Sequence, residues 1–385
     1  MDNKLFKRPK KIILVANSSW YFYNFRLQLL KDIREIGYEI YLIAPKDKYT
    51  VKLIDNKFKF IEWNLKRLSI NPINELISLM ALIRIYLNLK PDLSHHFTIK
   101  SCIYGTIAAK ISNTIFVINA ITGLGYVFLS KNKSASFLRF FLRPLYRLIF
   151  KARRSIVIFQ NSKDLEELNK LGITSTKNSN LISSSGVDIN YFYPLKKNYS
   201  NIKKLSKFLF PSRVIREKGF FELIEACIIL WDKGLNFELQ IAGDIDKKIY
   251  KILKKEYSRE LKNNNRLIFH GEVNNIRDLY SKCDIVILPS WREGLSKSLI
   301  EAASMEIPII TTDVPGCTDV IDHGINGLIV PPKDSDSIAL AMELLIHNPL
   351  FAEKLGKAAR IKVIDNFEMN LINNTTIYQY KRLLN

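Results

Sequence analysis

The distribution of apolar and polar residues along the chain predicts alternating strands and helices. Short apolar runs at Lys11 to Ala16 and Tyr38 to Ala44 indicate buried strands, and a stretch with helical spacing, Phe22 to Ile36, lies between them. A second series begins with a predicted strand at Phe208 to Pro211 and continues with another at Phe237 to Gly243. Strands that alternate with helices in this way predict parallel sheets in an α/β fold.

The chain length and one polar stretch predict two domains. A chain of 385 residues with 47% hydrophobic content is globular and too long for a single ordinary core. The polar, lysine-rich stretch between Leu195 and Lys207 is the predicted linker. We therefore expect an N-terminal domain over residues 1–195 and a second domain over residues 196–370, followed by a C-terminal helix over residues 371–385.

A pair of acidic residues in the second domain predicts a sugar-nucleotide site. An apolar strand, Asp284 to Leu288, leads to a turn at Gly294 and then to a predicted helix from Ser296 to Met305. Glu293 falls in the loop at the start of that helix, and Glu301 falls inside it. The free amides at a helix start suit an anion such as a diphosphate. Carboxylates on either side of that anion can accept hydrogen bonds from sugar hydroxyls.

Two basic residues follow the first strand of the second domain. Arg213 and Lys218 lie in the predicted loop between a strand and a helix, directly before Gly219. Arginine offers a planar fork of donors and lysine a compact charge, so both can bind one diphosphate. Two solvated loop cations are the alternative, which the nearby acid pair makes less attractive.

These motifs resemble the donor-site signature of the family 4 retaining glycosyltransferases, which have the GT-B fold. The resemblance continues through Thr312 to Cys317 and Asn326 to Leu328. Ser296 departs from the pattern, since the similar subgroup often has proline there, but a serine can still open a helix. The resemblance implies two Rossmann-like parallel-sheet domains that face across a cleft, with the C-terminal helix returning to the first domain. It also implies that the second domain binds the donor and the first the acceptor.

The resemblance assigns roles to the donor-site residues. Glu293 is expected to contact the transferred sugar and Glu301 to hold the ribose hydroxyls. Arg213 and Lys218 are expected to stabilise the leaving diphosphate, which would accept the acceptor's proton in a front-side transfer. The catalytic residues are thus Glu293, Arg213 and Lys218. The expected donor-binding residues are Glu301, Gly294, Leu295, Ser296, Lys297, and, around the nucleobase, His270, Gly271 and Val273.

Three motifs in the first domain resemble segments of the family 4 enzymes, and the last of them recurs in the subgroup that acts on polyprenyl-diphosphate-linked saccharides. They are the Asn24-Phe25-Arg26 segment, a polar loop with two histidines, and a Thr-Gly-Leu-Gly-Tyr segment. For the histidines, a solvated or capping role is the open alternative. The expected acceptor-binding residues are Asn24, Arg26, His95, His96, Thr122, Gly123, Gly125 and Tyr126.

The strong positive charge predicts an anionic partner. The formal net charge is +21, and no familiar nucleic-acid-binding motif is present, so we expect an anionic membrane surface or phosphorylated substrates instead of nucleic acid. The segment Phe137 to Phe159 interleaves basic residues with aromatic ones, as interfacial helices do. A core helix with arginines that reach water is the alternative. The residues expected at the membrane are Arg139, Arg143, Arg147 and Lys151, with Phe137, Phe140, Phe141 and Tyr146 in shallow contact.

Two further segments bear on localisation. The stretch from Ile73 to Leu89 is apolar but contains Glu75 and Arg84, so it predicts an amphipathic helix and not a membrane span. The first residues lack the apolar core of a secretory signal. We therefore expect a cytoplasmic protein that is peripheral at the inner face of the cytoplasmic membrane.

The sequence predicts an enzyme that transfers a hexosyl or N-acetylhexosaminyl group. The donor is expected to be a nucleotide sugar, by default UDP-linked, and the acceptor a polyprenyl-diphosphate-linked saccharide in surface polysaccharide or glycan assembly. A GT-B-fold nucleotide-sugar epimerase and a non-enzymatic nucleotide- or nucleic-acid-binding protein are the alternatives. The four cysteines are far apart and no metal-ligand spacing is visible, so we expect no metal and no cofactor.

Overall fold

The chain divides into two compact units. The computed structural model describes residues 8–66, 69, 71–123, 143–151, 154–195, 206–257 and 266–384. One unit contains the residues up to Ser185 and from Ile372 onward, and the other contains Gly186–Leu371. Residues 186–195 precede the predicted linker but belong to the second unit. There the Val187 amide donates to the Phe367 carbonyl at 2.9 Å, and the Ser304 hydroxyl donates to the Phe192 carbonyl at 2.6 Å.

The first unit is built on a parallel sheet of seven strands. The strands are β1 Lys11–Val15, β2 Glu39–Ala44, β3 Lys59–Glu62, β4 Leu93–Phe97, β5 Phe116–Ile121, β6 Ser155–Phe159 and β7 Ser179–Leu181. Their order is β3-β2-β1-β4-β5-β6-β7. The order reverses between β1 and β4, and in open parallel sheets ligands bind beyond the carboxyl ends of the strands at such a reversal.

Helices cover both faces of this sheet. They are α1 Leu27–Glu35, α2 Thr50–Asp55, α3 Pro72–Leu89, α4 Ile99–Ile111 and α5 Ser162–Lys170, and residues 143–150 are also helical. Leu14 of β1 packs on the face covered by α1 and α2, and Val15 on the face covered by α3 and α4. Asn71 caps α3 and Pro72 fills its first position, a favoured combination at a helix start.

The helix predicted from Phe22 to Ile36 is interrupted in the structure. A short helical turn, Ser19–Tyr21, leads into a π-helical turn, Phe22–Arg26, and only then does α1 begin. The wider turn directs Arg26 into the unit, where its guanidinium donates twice to the Tyr21 hydroxyl. Apolar spacing alone does not distinguish the π turn from an α-helix, and π turns often occur at functional sites.

The second unit contains a parallel sheet of six strands. The strands are β8 Ser206–Phe210, β9 Phe237–Ala242, β10 Leu267–Gly271, β11 Ile285–Leu288, β12 Ile309–Thr312 and β13 Leu328–Val330. Their order is β10-β9-β8-β11-β12-β13, so the reversal lies between β8 and β11. The strand β11 and the last three residues of β8 are buried, as expected for central parallel strands.

Helices flank this second sheet and close the chain. They are α6 Phe220–Asp232, α7 Lys247–Glu256, α8 Ile276–Lys282, α9 Lys297–Ser304, α10 Ser335–His347, α11 Pro349–Phe367 and α12 Met369–Leu384. The part of α12 from Ile372 onward belongs to the first unit, where Tyr380 is fully buried.

Candidate active site

The loop after β8 is held against the end of β11 by a glycine that no other residue could replace. Gly219 follows a 3-10 turn, Arg216–Lys218, and has a φ of +70°, which favours glycine. A Cβ at Gly219 would lie 1.9 Å from the carbonyl oxygen of Pro289. This close approach brings Lys218 beside the loop that follows β11.

Lys218 and Glu293 form an ion pair at the reversal of the strand order. The Lys218 ammonium contacts the Glu293 carboxylate, and the Ser290 hydroxyl donates to Glu293 Oε1 at 2.7 Å. The side chains of Lys218 and Glu293 are 21% and 11% exposed, so the pair is largely shielded but still reachable. The sequence predicted both residues as catalytic, and the structure brings them together. Arg213 lies in the same loop, after the end of β8, where its side chain is exposed.

Gly316 supports Glu293 from behind. Its φ is +78°, and a Cβ there would lie 2.8 Å from the Cβ and backbone of Glu293. The amides of Glu293 and Ser296 donate to the carbonyls of Pro315 and Gly316, each at 3.3 Å. The segment after β12 therefore fixes the loop that contains Gly294, Leu295 and Ser296.

Glu301 is a buried carboxyl on the inner face of α9. It is 9% exposed, its Oε1 lies 3.7 Å from the Lys297 ammonium, and its Oε2 lies 3.5 Å from the Tyr280 hydroxyl. Burial raises the pKa of Glu301, and Lys297 and Tyr280 offset part of that rise. A carboxylate in this position is stabilised further by any hydroxyl that donates to it, such as those of a ribose.

The start of α9 has no side-chain cap from Ser296. Ser296 has an extended backbone there, and its hydroxyl lies 3.2 Å from the Ser298 hydroxyl. Lys297 is the first residue of α9 and is half-buried. The amides at a helix start suit an anion, which agrees with the phosphate role expected for this segment.

The expected nucleobase residues lie at the edge of the second sheet. His270 and Gly271 end β10, and His270 Nε2 lies 3.3 Å from Gln240 Oε1 of β9. Gly271 has a φ of +65°, and Val273 packs partly against the core. Three strand spacings separate β10 from β11, about 14 Å. The nucleobase contact itself stays a prediction.

The two histidines expected in an acceptor-facing loop lie inside β4, so that placement is wrong. His95 and His96 are fully buried, because β4 pairs on both sides and helices cover both faces of the sheet. The Nδ1 of His95 lies 2.5 Å from the Tyr380 hydroxyl, and the Nε2 of His96 lies 2.8 Å from the Tyr86 hydroxyl. Burial lowers the pKa of His95 well below its ordinary value and the pKa of His96 to about 4. Both are neutral core residues without access to an acceptor.

Arg26 is also a buried residue and not an exposed acceptor ligand. Its guanidinium donates to Tyr21 and to the Ser184 carbonyl at 3.2 Å, and it lies 4.9 Å from the centre of the Phe97 ring. A cation with its donors engaged in this way fixes the loop after β1. Asn24 is half-buried, and its amide donates to the Trp20 carbonyl at 2.9 Å.

The remaining acceptor residues lie at or beyond the end of β5. Thr122 and Gly123 follow β5 and are half-buried, and Gly123 has a φ of +145°. Gly125 and Tyr126 lie outside the described residues. Their contact with an acceptor stays a prediction.

Sequence reasoning missed three supporting residues. Ser290 and Tyr280 hydrogen-bond to the two glutamates, and Thr98, at the carboxyl end of β4, has a strained backbone with a φ of +73°. Ser290 could have been found, since it lies in the same loop as Glu293. Tyr280 is on a different helix, and backbone strain at Thr98 leaves no sequence signal.

The residues expected at the membrane have other contacts where the structure describes them. Arg143 and Arg147 donate to the carbonyls of Leu171 and Gly172 at 3.0 and 3.1 Å, just beyond the end of α5, where cations are favourable. Tyr146 is buried and stacks on Phe150, so its predicted shallow contact with lipid is wrong. Lys151 is exposed, and Phe137, Arg139, Phe140 and Phe141 lie outside the described residues.

Within the described part of the chain, no group of three or more metal-binding side chains comes together. The four cysteines are buried and form no disulfide with one another. The expectation that the protein uses no metal and no cofactor stays a prediction.

Two family models match consecutive parts of the chain. One, described as glycosyl transferase 4-like, matches residues 11–161, and the other, described as glycosyl transferases group 1, matches residues 194–362. The second match contains Arg213, Lys218, Glu293 and Glu301. It therefore covers the Lys218–Glu293 ion pair and the helix that contains Glu301.

Two curated enzymes are similar over most of the chain. The N,N'-diacetylbacillosaminyl-diphospho-undecaprenol alpha-1,3-N-acetylgalactosaminyltransferase of Campylobacter jejuni is 28% identical over 97% of this chain and 99% of its own. The UDP-Gal:alpha-D-GlcNAc-diphosphoundecaprenol alpha-1,3-galactosyltransferase of Escherichia coli is 23% identical over 89% of this chain and 92% of its own.

A solved structure shares the fold. An Anabaena protein crystallised in complex with UDP-glucose aligns over 97% of this chain and 99% of its own, with a TM-score of 0.77 and 17% identity. At that identity the likeness shows the fold alone. Together with the two parallel sheets, it confirms the predicted architecture of two Rossmann-like domains.

Proposed function

The chain belongs to the family 4 glycosyltransferases of the GT-B fold, and from that premise we propose that it transfers a sugar from UDP to a polyprenyl-diphosphate-linked saccharide with retained configuration. The observation that carries the donor half is the Lys218–Glu293 ion pair, together with the buried carboxyl of Glu301 on the helix that follows the Glu293 loop. It combines a cation for the diphosphate with two carboxylates for sugar hydroxyls.

The residues expected at the donor have distinct parts in the proposed reaction. The bond between the anomeric carbon and the diphosphate breaks while the acceptor hydroxyl bonds to that carbon from the same face. The acceptor's proton passes to the departing diphosphate oxygen. Lys218 and Arg213 stabilise the negative charge that grows on the diphosphate, and fixed charges of this kind contribute strongly to catalysis. Glu293 is already engaged by Lys218 and Ser290, which suits binding of the sugar more than nucleophilic attack.

The comparisons support the choice of UDP. The structural neighbour from Anabaena was crystallised with UDP-glucose, and the E. coli relative is named for UDP-galactose. In the proposed complex, Glu301 accepts hydrogen bonds from the ribose, and the base lies toward Gly271. The identity of the transferred sugar depends on the side of the site around Glu293 and Ser290.

The acceptor assignment is supported by the two relatives. Both names specify a saccharide linked through a diphosphate to undecaprenol, and both enzymes match along nearly the whole chain. We place the acceptor at the first unit, beyond the carboxyl ends of β1, β4 and β5. The enzyme would then work as a peripheral protein at the cytoplasmic face of the membrane, where such a lipid is accessible.

A donor panel tests this function. Purified protein is incubated with radiolabelled UDP-hexoses and UDP-N-acetylhexosamines and with membrane extracts that contain polyprenyl-linked saccharides. Label should move from one donor into the organic-soluble fraction and should not do so with Lys218→Ala. Release of free sugar at the same rate without extract would refute transfer to a lipid-linked acceptor.

A further inference from the structure

We propose that the outward face of α3 is a membrane-docking surface that lies flat on an anionic bilayer. The inference deepens the proposed function, because an acceptor on a polyprenyl chain is presented at such a surface. The docking face consists of apolar side chains on one side of the helix. They are Ile73, Leu76, Ile77, Met80 and Leu87.

The two faces of α3 are both apolar but have different environments. Leu82 and Tyr86 are fully buried, and Ser78 lies on the same side with 4% exposure. On the opposite side, Ile73 is 70% exposed and Met80 is 59% exposed. At 100° per residue, the exposed side chains form one stripe opposite the buried one. The outer face of α3 is therefore mostly apolar, whereas that of an ordinary amphipathic surface helix is polar.

The inner face of α3 is fixed to its unit by specific hydrogen bonds. The Tyr86 hydroxyl contacts His96 of β4 at 2.8 Å, and the Trp63 indole donates to the Ser78 carbonyl at 2.8 Å. The helix has the length and composition to cross a membrane, but crossing would break these contacts and uncover the sheet. The apolar stripe can meet lipid only if the helix lies parallel to the surface, as interfacial helices do.

The charges around the stripe favour an anionic surface. Arg84 lies within the stripe and is exposed, and Lys90 ends the helix and is also exposed. The acid of the helix, Glu75, is turned inward, where it contacts the Lys100 ammonium at 2.9 Å and the Tyr104 hydroxyl. A basic residue among exposed apolar ones matches lipid phosphates beside acyl chains. A second copy of the chain would instead place Arg84 against an apolar face or another arginine.

This surface is distinct from the segment of residues 137–154 that the sequence suggested for the membrane. In that segment Tyr146 is part of the core, and Arg143 and Arg147 are bonded to backbone carbonyls. On α3 the apolar side chains themselves are exposed. The lipid contact is therefore assigned to α3.

A charge-insertion variant and a matched control test the assignment. Ile77→Glu/Met80→Glu changes two positions of the docking face that are 58% and 59% exposed. Val51→Glu/Ile54→Glu changes two positions of α2, on the other face of the same sheet, that are 60% and 53% exposed. Both double variants add the same charge. Flotation with vesicles of phosphatidylglycerol and phosphatidylcholine measures the bound fraction.

The docking-face variant should bind vesicles at least about tenfold more weakly than the wild type, which equals about 1.4 kcal/mol. The control should lose less than threefold, since it alters net charge alone. Ile77→Ser/Met80→Ser adds no charge and should also weaken binding. It replaces the glutamate variant in the test if that variant proves unstable. Arg84→Gln should weaken binding to anionic vesicles and leave binding to pure phosphatidylcholine unchanged.

Activity on a soluble acceptor separates this inference from the proposed function. The docking-face variant should transfer sugar normally to a water-soluble, short-chain polyprenyl-diphosphate saccharide and poorly to the same saccharide on a long chain in vesicles. Equal vesicle binding by both double variants would overturn the docking face. Transfer to the short-chain acceptor would still support the proposed function in that case. A second copy of the chain would be the occupant of this face if the wild type sediments as a dimer and binds no vesicles, while Ile77→Glu/Met80→Glu sediments as a monomer. That result would also overturn the docking face.

Discussion

The ammonium of Lys218 contacts the carboxylate of Glu293, although the two residues follow different strands of the second sheet. The contact lies at the point where the strand order reverses, between β8 and β11. Neither side chain is fully buried, so in the proposed complex a diphosphate can compete for the lysine while sugar hydroxyls donate hydrogen bonds to the glutamate. The ion pair therefore holds the ammonium of Lys218 and the carboxylate of Glu293 in position before the donor binds.

Removal of either cation should impair turnover. We expect Lys218→Ala and Arg213→Ala each to lower kcat by about 10²–10³-fold, because charge grows on the diphosphate as the sugar leaves. Steady-state kinetics with the donor identified by the panel measures the change. Lys233→Ala is the control, since Lys233 forms a 2.9 Å ion pair with Glu343 on the surface of the same unit. Unchanged kcat in both site variants would refute the diphosphate role.

The two glutamates should separate binding from turnover. Glu301→Ala should weaken UDP binding by about 1.5–3 kcal/mol, the usual cost of losing hydrogen bonds to a charged group. Glu293→Ala should reduce turnover more than UDP affinity, since UDP lacks the sugar that Glu293 is proposed to contact. Isothermal calorimetry with UDP and initial-rate assays measure the two effects. The reverse pattern would show that the roles are exchanged.

UDP affinity should fall in mild acid. Burial raises the pKa of Glu301 in the free protein, and ribose hydroxyls bind the ionised form, so binding is favoured above that pKa and lost as the pH falls through it. The loss should begin at a higher pH than the ordinary range of glutamate. Calorimetry from pH 8 to pH 5 measures the UDP affinity. In Glu301→Gln, which cannot ionise at this position, the part of the pH dependence caused by Glu301 should be absent. Parallel profiles for the two proteins would contradict this explanation.

The first unit should be sensitive to acid. His96 has a pKa of about 4 when folded and an ordinary pKa near 6.5 when unfolded, so its stabilising contribution is complete above pH 6.5. As the pH falls from 6.5 toward 4, the free energy of unfolding should drop by about 3 kcal/mol from this residue. Urea unfolding at several pH values measures the drop. In His96→Gln the slope below pH 6.5 should be shallower, and an unchanged slope would show that other groups cause it.

The placement of the residues expected at the donor was predictable because its signals are local. The strand before Glu293, the turn at Gly294 and the helix that contains Glu301 are consecutive in the sequence. The same holds for Lys218 and Gly219 after β8. In each case the strand, loop and helix lie within a few residues, so hydrophobic spacing determines where the polar side chains are placed.

The acceptor half was less predictable because burial depends on distant residues. His95 and His96 look polar in sequence, but β4 pairs on both sides and helices cover both faces of the sheet, so both are buried. Their hydroxyl partners are Tyr380, on the last helix, and Tyr86 of α3. Tight packing also contributes, since a Cβ at Gly105 would lie 2.4 Å from the His96 ring. Arg26 was misplaced for the same reason, since its interior partners follow from the tertiary fold.

The most direct test of the account is the configuration of the sugar that the purified protein adds to a defined acceptor. An α-linked UDP-sugar is incubated with a short-chain polyprenyl-diphosphate saccharide, and the product is analysed by proton NMR, with Lys218→Ala as the inactive control. The account predicts an α-linked product that forms only when the acceptor is present. A β-linked product, or conversion of the nucleotide sugar to an epimer or to free sugar without acceptor, would contradict it.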